Sequence, residues 1–150
     1  MKTWAIIGGG NGGQTMAGHL AIIGEKVRLY KRSQEGVDII NETKEIILHH
    51  AIEGIGKIEF ATSNVAEAMK GADVIMLILP SNAHEQVARE MIPHLKDGQV
   101  VLIHPEETCG ALQFRHIMNM MGCIKDVVIG STSSLLYVTR LIKDGECYVN

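Results

Sequence analysis

Residues 4–23 read WAIIGGGNGGQTMAGHLAII, so that a short apolar run leads through a glycine-rich turn into a helical pattern. This order of strand, turn and helix is the context that a GxGxxG dinucleotide fingerprint requires. Its position near the first residue and its correct flanks favour that interpretation over a plain glycine turn, which is the alternative. The stretch therefore predicts a Rossmann-type fold that holds a dinucleotide.

Each glycine of the fingerprint has a predicted task. Gly8 permits the tight turn, Gly10 lets the backbone approach a pyrophosphate, and Gly13 lets the helix lie close to the strand. The helix predicted to follow the glycine turn, from Gln14 to Ile23, points its free N–H groups and its positive end at the phosphates. We therefore predict that the cofactor is bound by Gly8, Gly10, Asn11, Gly12 and Gly13.

Composition and charge narrow the class of protein. The chain has 150 residues, of which 46% are hydrophobic and 21% charged, which is typical of a single globular domain at 1–150. A net charge of -3 gives no reason to expect nucleic acid or an anionic membrane as partner. No apolar run is long enough to cross a bilayer. Three cysteines without a CxxC pair indicate a reducing compartment, and we expect a cytoplasmic protein.

Apolar runs alternate with helical patterns along the chain. This alternation predicts an α/β fold, a doubly wound and mainly parallel sheet with helices on both faces. The last predicted helix is expected to bury Leu112, Ile117, Met120 and Met121, and a closing pair of strands is expected around the Asp144-Gly145 turn. After the first helix, the predicted strands are 26–30, 46–48, 55–61, 74–79, 100–103, 127–129, 135–138 and 146–149, and the predicted helices are 35–44, 65–69, 83–94 and 110–121.

The end of the second predicted strand bears on which dinucleotide is bound. NAD sites normally have an Asp or Glu there to hold the adenosine 2′-hydroxyl, but this strand ends Tyr30-Lys31-Arg32-Ser33. Two cations and a hydroxyl suit a 2′-phosphate, and Arg32 can also lie flat on the adenine ring. The alternative is that Lys31 and Arg32 are ordinary solvated charges. We predict that Tyr30, Lys31, Arg32 and Ser33 contact the cofactor and that NADP is preferred, with NAD as the alternative.

Two further loops follow strand ends at the edge where doubly wound sheets bind ligands. In the first loop, Leu79, Pro80 and Ser81 are predicted to contact the cofactor. In the second loop, His104 and Thr108 have the same predicted role. Helix capping, by Ser81 or the residue after it and by Thr108, is the competing interpretation.

The candidate acid–base and metal residues are few. Proton transfer by His104 is chemically feasible, but a general base must also reach the reacting atom, and we assign no catalytic residue. The adjacent His49 and His50 would point to opposite faces of a strand, so they are a poor metal pair and no metal site is predicted. Glu106 and Glu107 are expected to complement the N-terminal dipole of the helix that follows them.

Four segments of the chain resemble the N-terminal domain of the opine dehydrogenases (the octopine/nopaline dehydrogenase family). They are residues 6–13, 72–80, 104–115 and 129–140. The third segment contains GAL-x-FR at 110–115, and the fourth contains Thr132-Ser133-Ser134. The GAL-x-FR and Thr-Ser-Ser segments are more distinctive than the glycine turn. The resemblance implies a Rossmann domain whose cofactor reduces the imine formed between a 2-oxo acid and an amino acid.

The chain also departs from the family pattern. It has His104-Pro105-Glu106 where the family commonly has Asn-Pro-Gly, and Ser131 where the family has Glu before Thr-Ser-Ser. Family members carry a second, helical C-terminal domain with the catalytic histidine and aspartate, and we expect that domain to be absent here. The resemblance then implies the NADP-binding half of an oxidoreductase, which needs a second domain or chain for turnover.

Two other functions are compatible with the same fingerprint. One is a stand-alone module that binds or senses NADP(H) without catalysis, and the other is an enzyme similar to ketopantoate reductase, against which the GAL-x-FR segment counts. The expected ligand is in every case a small dinucleotide. The expected protein partner is a second copy of the chain or a separate substrate-domain chain, because a bare Rossmann domain exposes apolar surface.

Overall fold

The computed structural model describes residues 1–106 and 109–150. In chain order the strands are β1 (Thr3–Ile7), β2 (Lys26–Tyr30), β3 (Glu45–His50), β4 (Gly54–Lys57), β5 (Phe60–Thr62), β6 (Val74–Leu77), β7 (Val100–Ile103), β8 (Val128–Ser131), β9 (Thr139–Lys143) and β10 (Glu146–Val149). The helices are α1 (Asn11–Ile22), α2 (Gln34–Thr43), α3 (Val65–Met69), α4 (Ser81–Met91) and α5 (Gly110–Met120), and a short 3-10 helix (Ile92–His94) follows α4.

Six strands form one sheet in the order β5-β2-β1-β6-β7-β8, and every pair in it is parallel. From β1 the chain first winds outward through β2 to β5. It then returns to the other side of β1 and winds outward again through β6, β7 and β8. The predicted doubly wound Rossmann-type sheet is therefore confirmed.

Strand β1 shows how the sequence buries both faces of this sheet. Its residues Ala5, Ile6 and Ile7 are all fully buried, although successive side chains of a strand point to opposite faces. Ala5 and Ile7 join a core built with α3, α4 and α5, whereas Ile6 joins a core built with α1 and α2. A continuous apolar run is what a parallel strand covered on both faces requires.

A second, four-stranded sheet covers α1 on its outer side. Its order is β4-β3-β10-β9, with β10 parallel to β3 and the other pairs antiparallel. Gly18 of α1 and Gly56 of β4 come so close that a Cβ on Gly56 would lie 2.2 Å from the Gly18 carbonyl oxygen. The sequence predicted the strands at 46–48 and 55–61 apart from the closing pair, and the structure joins β3 and β4 with β9 and β10 into one layer over the first helix.

The prediction of a closing hairpin is confirmed for the turn and wrong for the first strand. Gly145 has a φ of 84°, a conformation that favours glycine, at the turn that was predicted. The first strand is β9 at 139–143 instead of 135–138, because Leu141 pairs with the buried Cys147 and joins the core over α1. Leu135 and Leu136 lie outside that ladder and are exposed.

The buried face of α5 differs from the prediction at most positions. Leu112 and Met120 are 70% and 63% exposed, and Met121 is also exposed, whereas Ile117 is buried as expected. The other buried apolar side chains of the helix are Phe114 and Met118. Residues 114, 117 and 118 follow the i, i+3, i+4 spacing of a single helix face, and the bulky Phe114 sets which face points to the sheet.

None of the helices within 1–106 and 109–150 combines the length and the apolar character that a bilayer-spanning helix needs.

Candidate functional site

The carboxyl ends of the parallel strands lie level along one edge of the main sheet. Ile7 at the end of β1 is in register with Tyr30 of β2 and with Leu77 of β6, and Leu77 is in register with Ile103 of β7. The winding direction changes between β1 and β6. In open α/β sheets the ligand crevice lies outside the strand ends at such a switch point.

The turn after β1 is packed tightly at two glycines and open at a third. A Cβ on Gly8, whose φ is +135°, would lie 2.1 Å from the Ile78 carbonyl oxygen, and a Cβ on Gly13 would lie 1.5 Å from the Gly8 carbonyl oxygen. A Cβ on Gly10 would meet no described atom within 4 Å. Gly8 and Gly13 therefore close the turn, whereas Gly10 faces open space at the sheet edge where this topology is expected to bind a ligand.

Helix α1 begins at this open position, and its first turn contains no acidic side chain that would neutralise the positive end of the helix dipole. Its N-cap residue is Gly10, so no side chain at the N-cap accepts a hydrogen bond from the first N–H groups of the helix. The first N–H groups of a helix have no partner within the helix, and together with the dipole they attract an anion. The Asn11 side chain is engaged elsewhere, since its Oδ1 accepts a hydrogen bond from the Leu141 N–H at 3.0 Å. The backbone N–H groups that begin α1 are the part of the fingerprint suited to a pyrophosphate.

Two of the four residues predicted to contact the cofactor at the end of β2, Tyr30 and Lys31, make contacts within the protein itself. The Tyr30 side chain is buried, burial raises its pKa, and its carbonyl oxygen accepts the Gly8 N–H at 3.2 Å. The Lys31 ammonium lies 3.0 Å from Asp144 Oδ1 and donates to the Gly9 carbonyl oxygen at 3.2 Å. The charge of Lys31 is thus paired within the protein, which the sequence did not indicate.

The other two residues of that group lie on the surface. Arg32 is exposed at the end of β2. Ser33 is the N-cap of α2, and its Oγ accepts the Gly36 N–H at 3.2 Å. Arg32 and the hydroxyl of Ser33 are therefore the groups from this loop that remain accessible to a ligand.

The loop after β6 also reaches the switch point. Leu79 packs beside Gly8, and its carbonyl oxygen lies 3.0 Å from Nε2 of the buried His84. Capping of α4 by Ser81 or Asn82 is wrong, because the helix begins at Ser81 and Pro80 is its N-cap, without a side-chain hydrogen bond. Pro80 and Ser81 are both exposed at the sheet edge where a ligand is expected.

His104 is held inside the protein by both ring nitrogens. Its side chain is 2% exposed, Nδ1 lies 2.7 Å from Thr132 Oγ1, and Nε2 lies 3.5 Å from the Leu136 N–H nitrogen. The Thr132 hydroxyl can donate to the Ser134 carbonyl oxygen, so Nδ1–H donates to Thr132 and Nε2 accepts from Leu136. This arrangement needs the neutral ring, and burial lowers the pKa of His104. His104 therefore supports the loop after β7.

Acidification is expected to destabilise the wild-type protein more than a His104→Gln variant. Burial lowers the pKa of His104 below its ordinary 6.5, so the unfolded chain takes up this proton first as the pH falls. The stabilisation is complete above about pH 6.5 and is lost below it, by at most about 1.4 kcal/mol per pH unit. Urea unfolding of both proteins between about pH 7 and pH 5 measures the difference. Parallel pH profiles would contradict this role for His104.

The two departures from the opine dehydrogenase pattern are neighbours in space. Glu106 follows β7 and Ser131 ends β8. The Glu106 N–H donates to the carbonyl oxygen of Thr132, the residue after Ser131, at 2.9 Å, and the Ala111 N–H donates to the Glu106 carboxylate at 3.1 Å. Hydrogen bonding by the Ser131 hydroxyl and by the Ala111 N–H lowers the pKa of Glu106. Glu106 thus binds an N–H group in the first turn of α5, which agrees with the expected interaction with the helix dipole. Glu107 and Thr108 lie outside the described residues, so the predicted cofactor contact of Thr108 stays a prediction.

The sequence reasoning missed two residues that build the site, Gln14 and Asp144. Gln14 is fully buried, and its Nε2 donates to the Gly9 carbonyl oxygen at 2.9 Å and to Asp144 Oδ1 at 2.7 Å. Its Oε1 accepts the Gly145 N–H at 2.8 Å. A polar side chain directly after the fingerprint was the one local signal, since two of its three partners, Asp144 and Gly145, lie 130 and 131 residues away.

No group of three or more potential metal ligands occurs among the residues that the structure describes.

The comparisons with known proteins agree with this geometry. The family model described as the NAD-dependent glycerol-3-phosphate dehydrogenase N-terminus matches residues 3–126. An opine dehydrogenase of Arthrobacter sp. (strain 1C) is 33% identical over 150 residues, which are 99% of this chain and 42% of the relative. A glycerol-3-phosphate dehydrogenase [NAD(P)+] of Nitratidesulfovibrio vulgaris (strain DP4) is 34% identical over 105 residues, 65% of this chain and 30% of the relative.

A solved structure of octopine dehydrogenase with NADH and pyruvate superposes with a TM-score of 0.85 at 23% identity, covering 99% of this chain and 40% of that one. At this identity the likeness shows the fold. The chain spans less than half the length of each of these relatives. The resemblance to the opine dehydrogenases is confirmed, and the chain belongs to the family of NAD(P)-binding dehydrogenase domains described by the glycerol-3-phosphate dehydrogenase N-terminus.

Proposed function

We propose that this chain is the NADP-binding half of an opine-dehydrogenase-like oxidoreductase that reduces the imine of a 2-oxo acid and an amino acid. The observation that carries the proposal is the open corner at Gly10, where a close-packed glycine turn starts a helix with no anion of its own. The opine dehydrogenase relative, which matches 99% of the chain, supports the reaction class. The glycine turn and the start of α1 would hold the pyrophosphate, and the loops after β6 and β7 would line the path toward the nicotinamide.

Arg32 supports NADP as the preferred cofactor. It is exposed at the end of β2, beside the start of α2, where a 2′-phosphate would also meet the positive end of a helix dipole. A guanidinium suits a phosphate because it offers several donors in a planar fork. Lys31 contributes less than its sequence position suggests, because Asp144 pairs with it.

Replacing Arg32 by Ala is expected to weaken NADP binding about ten- to a hundredfold, the scale of one hydrogen bond to a charged group. NAD lacks the 2′-phosphate and should lose little. Isothermal titration of both cofactors measures the two dissociation constants. Arg89→Ala is the matched control, because Arg89 is an exposed arginine of α4 that pairs with Glu85. Equal losses for NADP and NAD in Arg32→Ala would contradict the assignment.

Turnover is proposed to need a protein surface in addition to the described residues. Bound NADPH supplies a hydride, but the imine must also be oriented and protonated. In the loop after β7, His104 is buried and neutral, and the Glu106 carboxylate accepts a hydrogen bond from the Ala111 N–H of α5. We place the proton donor on a second domain or chain that closes over the crevice and excludes water.

An assay of NADPH oxidation with pyruvate and a panel of amino acids tests whether turnover needs a second domain or chain. Turnover is expected when the chain is combined with a helical substrate domain of an opine dehydrogenase, and none is expected from the chain alone. Turnover by the 150-residue chain would contradict the half-enzyme proposal. Tight cofactor binding without turnover in any combination would favour the NADP(H)-sensing module instead.

Location and assembly follow the same proposal. All three cysteines are free, which fits the reducing cytoplasm. Several apolar side chains of the 110–138 region stay exposed, and we propose that another copy or a substrate-domain chain covers them. They are Leu112, Met120, Met121, Ile124, Val128, Leu135, Leu136 and Val138.

A further inference from the structure

The β9–β10 turn reaches the end of β2, where a dinucleotide-binding fold meets the adenosine ribose. Its Asp144 carboxylate lies 3.0 Å from Lys31 Nζ and 2.7 Å from Gln14 Nε2. The second carboxylate oxygen lies beside the first turn of α2, 2.5 Å from where a Cβ on Gly36 would stand. We call the space bounded by Gly9, Lys31 and Gly36 the ribose corner.

The position of Asp144 matters because the second strand itself ends without an acid. In NAD-binding folds an acidic side chain at that strand end holds the ribose 2′-hydroxyl and repels a 2′-phosphate. Here Lys31 and Arg32 occupy the strand end, and the carboxylate arrives from a different sheet. Asp144 lies close to Lys31, and both side chains are largely buried, at 19% and 15% exposed, so solvent screens their charges less than it screens surface charges.

We propose that Asp144 is a specificity-determining residue that limits the preference for NADP over NAD. Asp144 neutralises Lys31 and adds a carboxylate to the ribose corner. Of the two cations at the end of β2, Arg32 is then the one whose positive charge can attract a 2′-phosphate. The inference rests on the proposed function, because it assigns cofactor choice to a residue beside the proposed dinucleotide site. It concerns the ratio of the two affinities, whereas the proposed function concerns binding itself.

Asp144→Asn tests the proposal, because asparagine keeps the size of the side chain and an acceptor for Gln14. Releasing Lys31 from its ion pair is expected to raise the NADP preference, the ratio of the NAD to the NADP dissociation constant, about tenfold. Lys31→Gln should shift this ratio the other way, because it leaves the Asp144 carboxylate uncompensated. Isothermal titration of both cofactors and urea unfolding of each variant supply the measurements.

Glu146→Gln is the matched control for the loss of one negative charge from the same hairpin. The Glu146 carboxylate lies 2.8 Å from His49 Nε2 and 3.3 Å from Lys143 Nζ. Neither partner belongs to the ribose corner. Its cofactor ratio should stay at the wild-type value.

The outcomes separate the inference from the proposed function. If Asp144→Asn weakens both cofactors equally and lowers stability, Asp144 only fastens the hairpin and the inference is overturned. If Asp144→Asn does not fold, the ratio in Lys31→Gln decides, and an unchanged ratio overturns the inference. A wild-type protein that binds neither cofactor would overturn the proposed function and the inference together.

Discussion

Replacing Gly13 by Ala is expected to lower the free energy of unfolding by about 3 kcal/mol or more, at the upper end of the range for overpacked sites. The added Cβ would lie 1.5 Å from the Gly8 carbonyl oxygen, which belongs to the backbone and cannot rotate away. Helix α1 would have to move off β1, and the second sheet packed on α1 would move with it. Urea unfolding followed by circular dichroism measures the loss.

Gly10→Ala is the matched substitution in the same turn, with the opposite expected pattern. The φ of Gly10 is -88° and a Cβ there meets no described atom within 4 Å, so the folded protein should accept alanine. A methyl group in the path of the pyrophosphate is expected to weaken NADP and NAD about ten- to a hundredfold. Unchanged affinity in Gly10→Ala would place the dinucleotide elsewhere. Unchanged stability in Gly13→Ala would contradict the close packing of the turn.

Gln14→Ala is expected to destabilise the fold by about 2–4 kcal/mol, because several buried polar groups lose their partner at once. Gln14 joins three parts of the chain: the Gly9 carbonyl oxygen, the Asp144 carboxylate and the Gly145 N–H. Without its amide the hairpin would lose one of the contacts that hold it to the glycine turn. Both cofactors should bind more weakly by a similar factor, which distinguishes this variant from Asp144→Asn.

Gln113→Ala is the control for this second prediction. Gln113 also lies in the first half of a helix, but its side chain is exposed. A surface substitution of this kind is expected to change stability by no more than about 0.5 kcal/mol. Equal unfolding free energies for Gln14→Ala and Gln113→Ala would show that the buried amide contributes little.

The fingerprint and the central sheet could be predicted because their signals are local. A strand covered on both faces needs an unbroken apolar run, as in Ala5-Ile6-Ile7, and a tight turn with a close helix needs glycines such as Gly8 and Gly13. The helix α3 was predicted at 65–69 and is observed at Val65–Met69. Near α5 the prediction failed, since Leu112 and Phe114 are both apolar and only packing against the sheet selects between their faces.

The chain alone specifies where the crevice opens, because strand order and the glycine turn arise from patterns among neighbouring residues. The charge that faces the ribose depends on contacts between distant segments. Lys31 reads as a free cation until the hairpin brings Asp144 to 3.0 Å from its ammonium group. Likewise, His104 reads as a candidate base until Thr132 and the Leu136 backbone enclose it. Burial and pairing set the charge of a side chain, and both are properties of the folded protein.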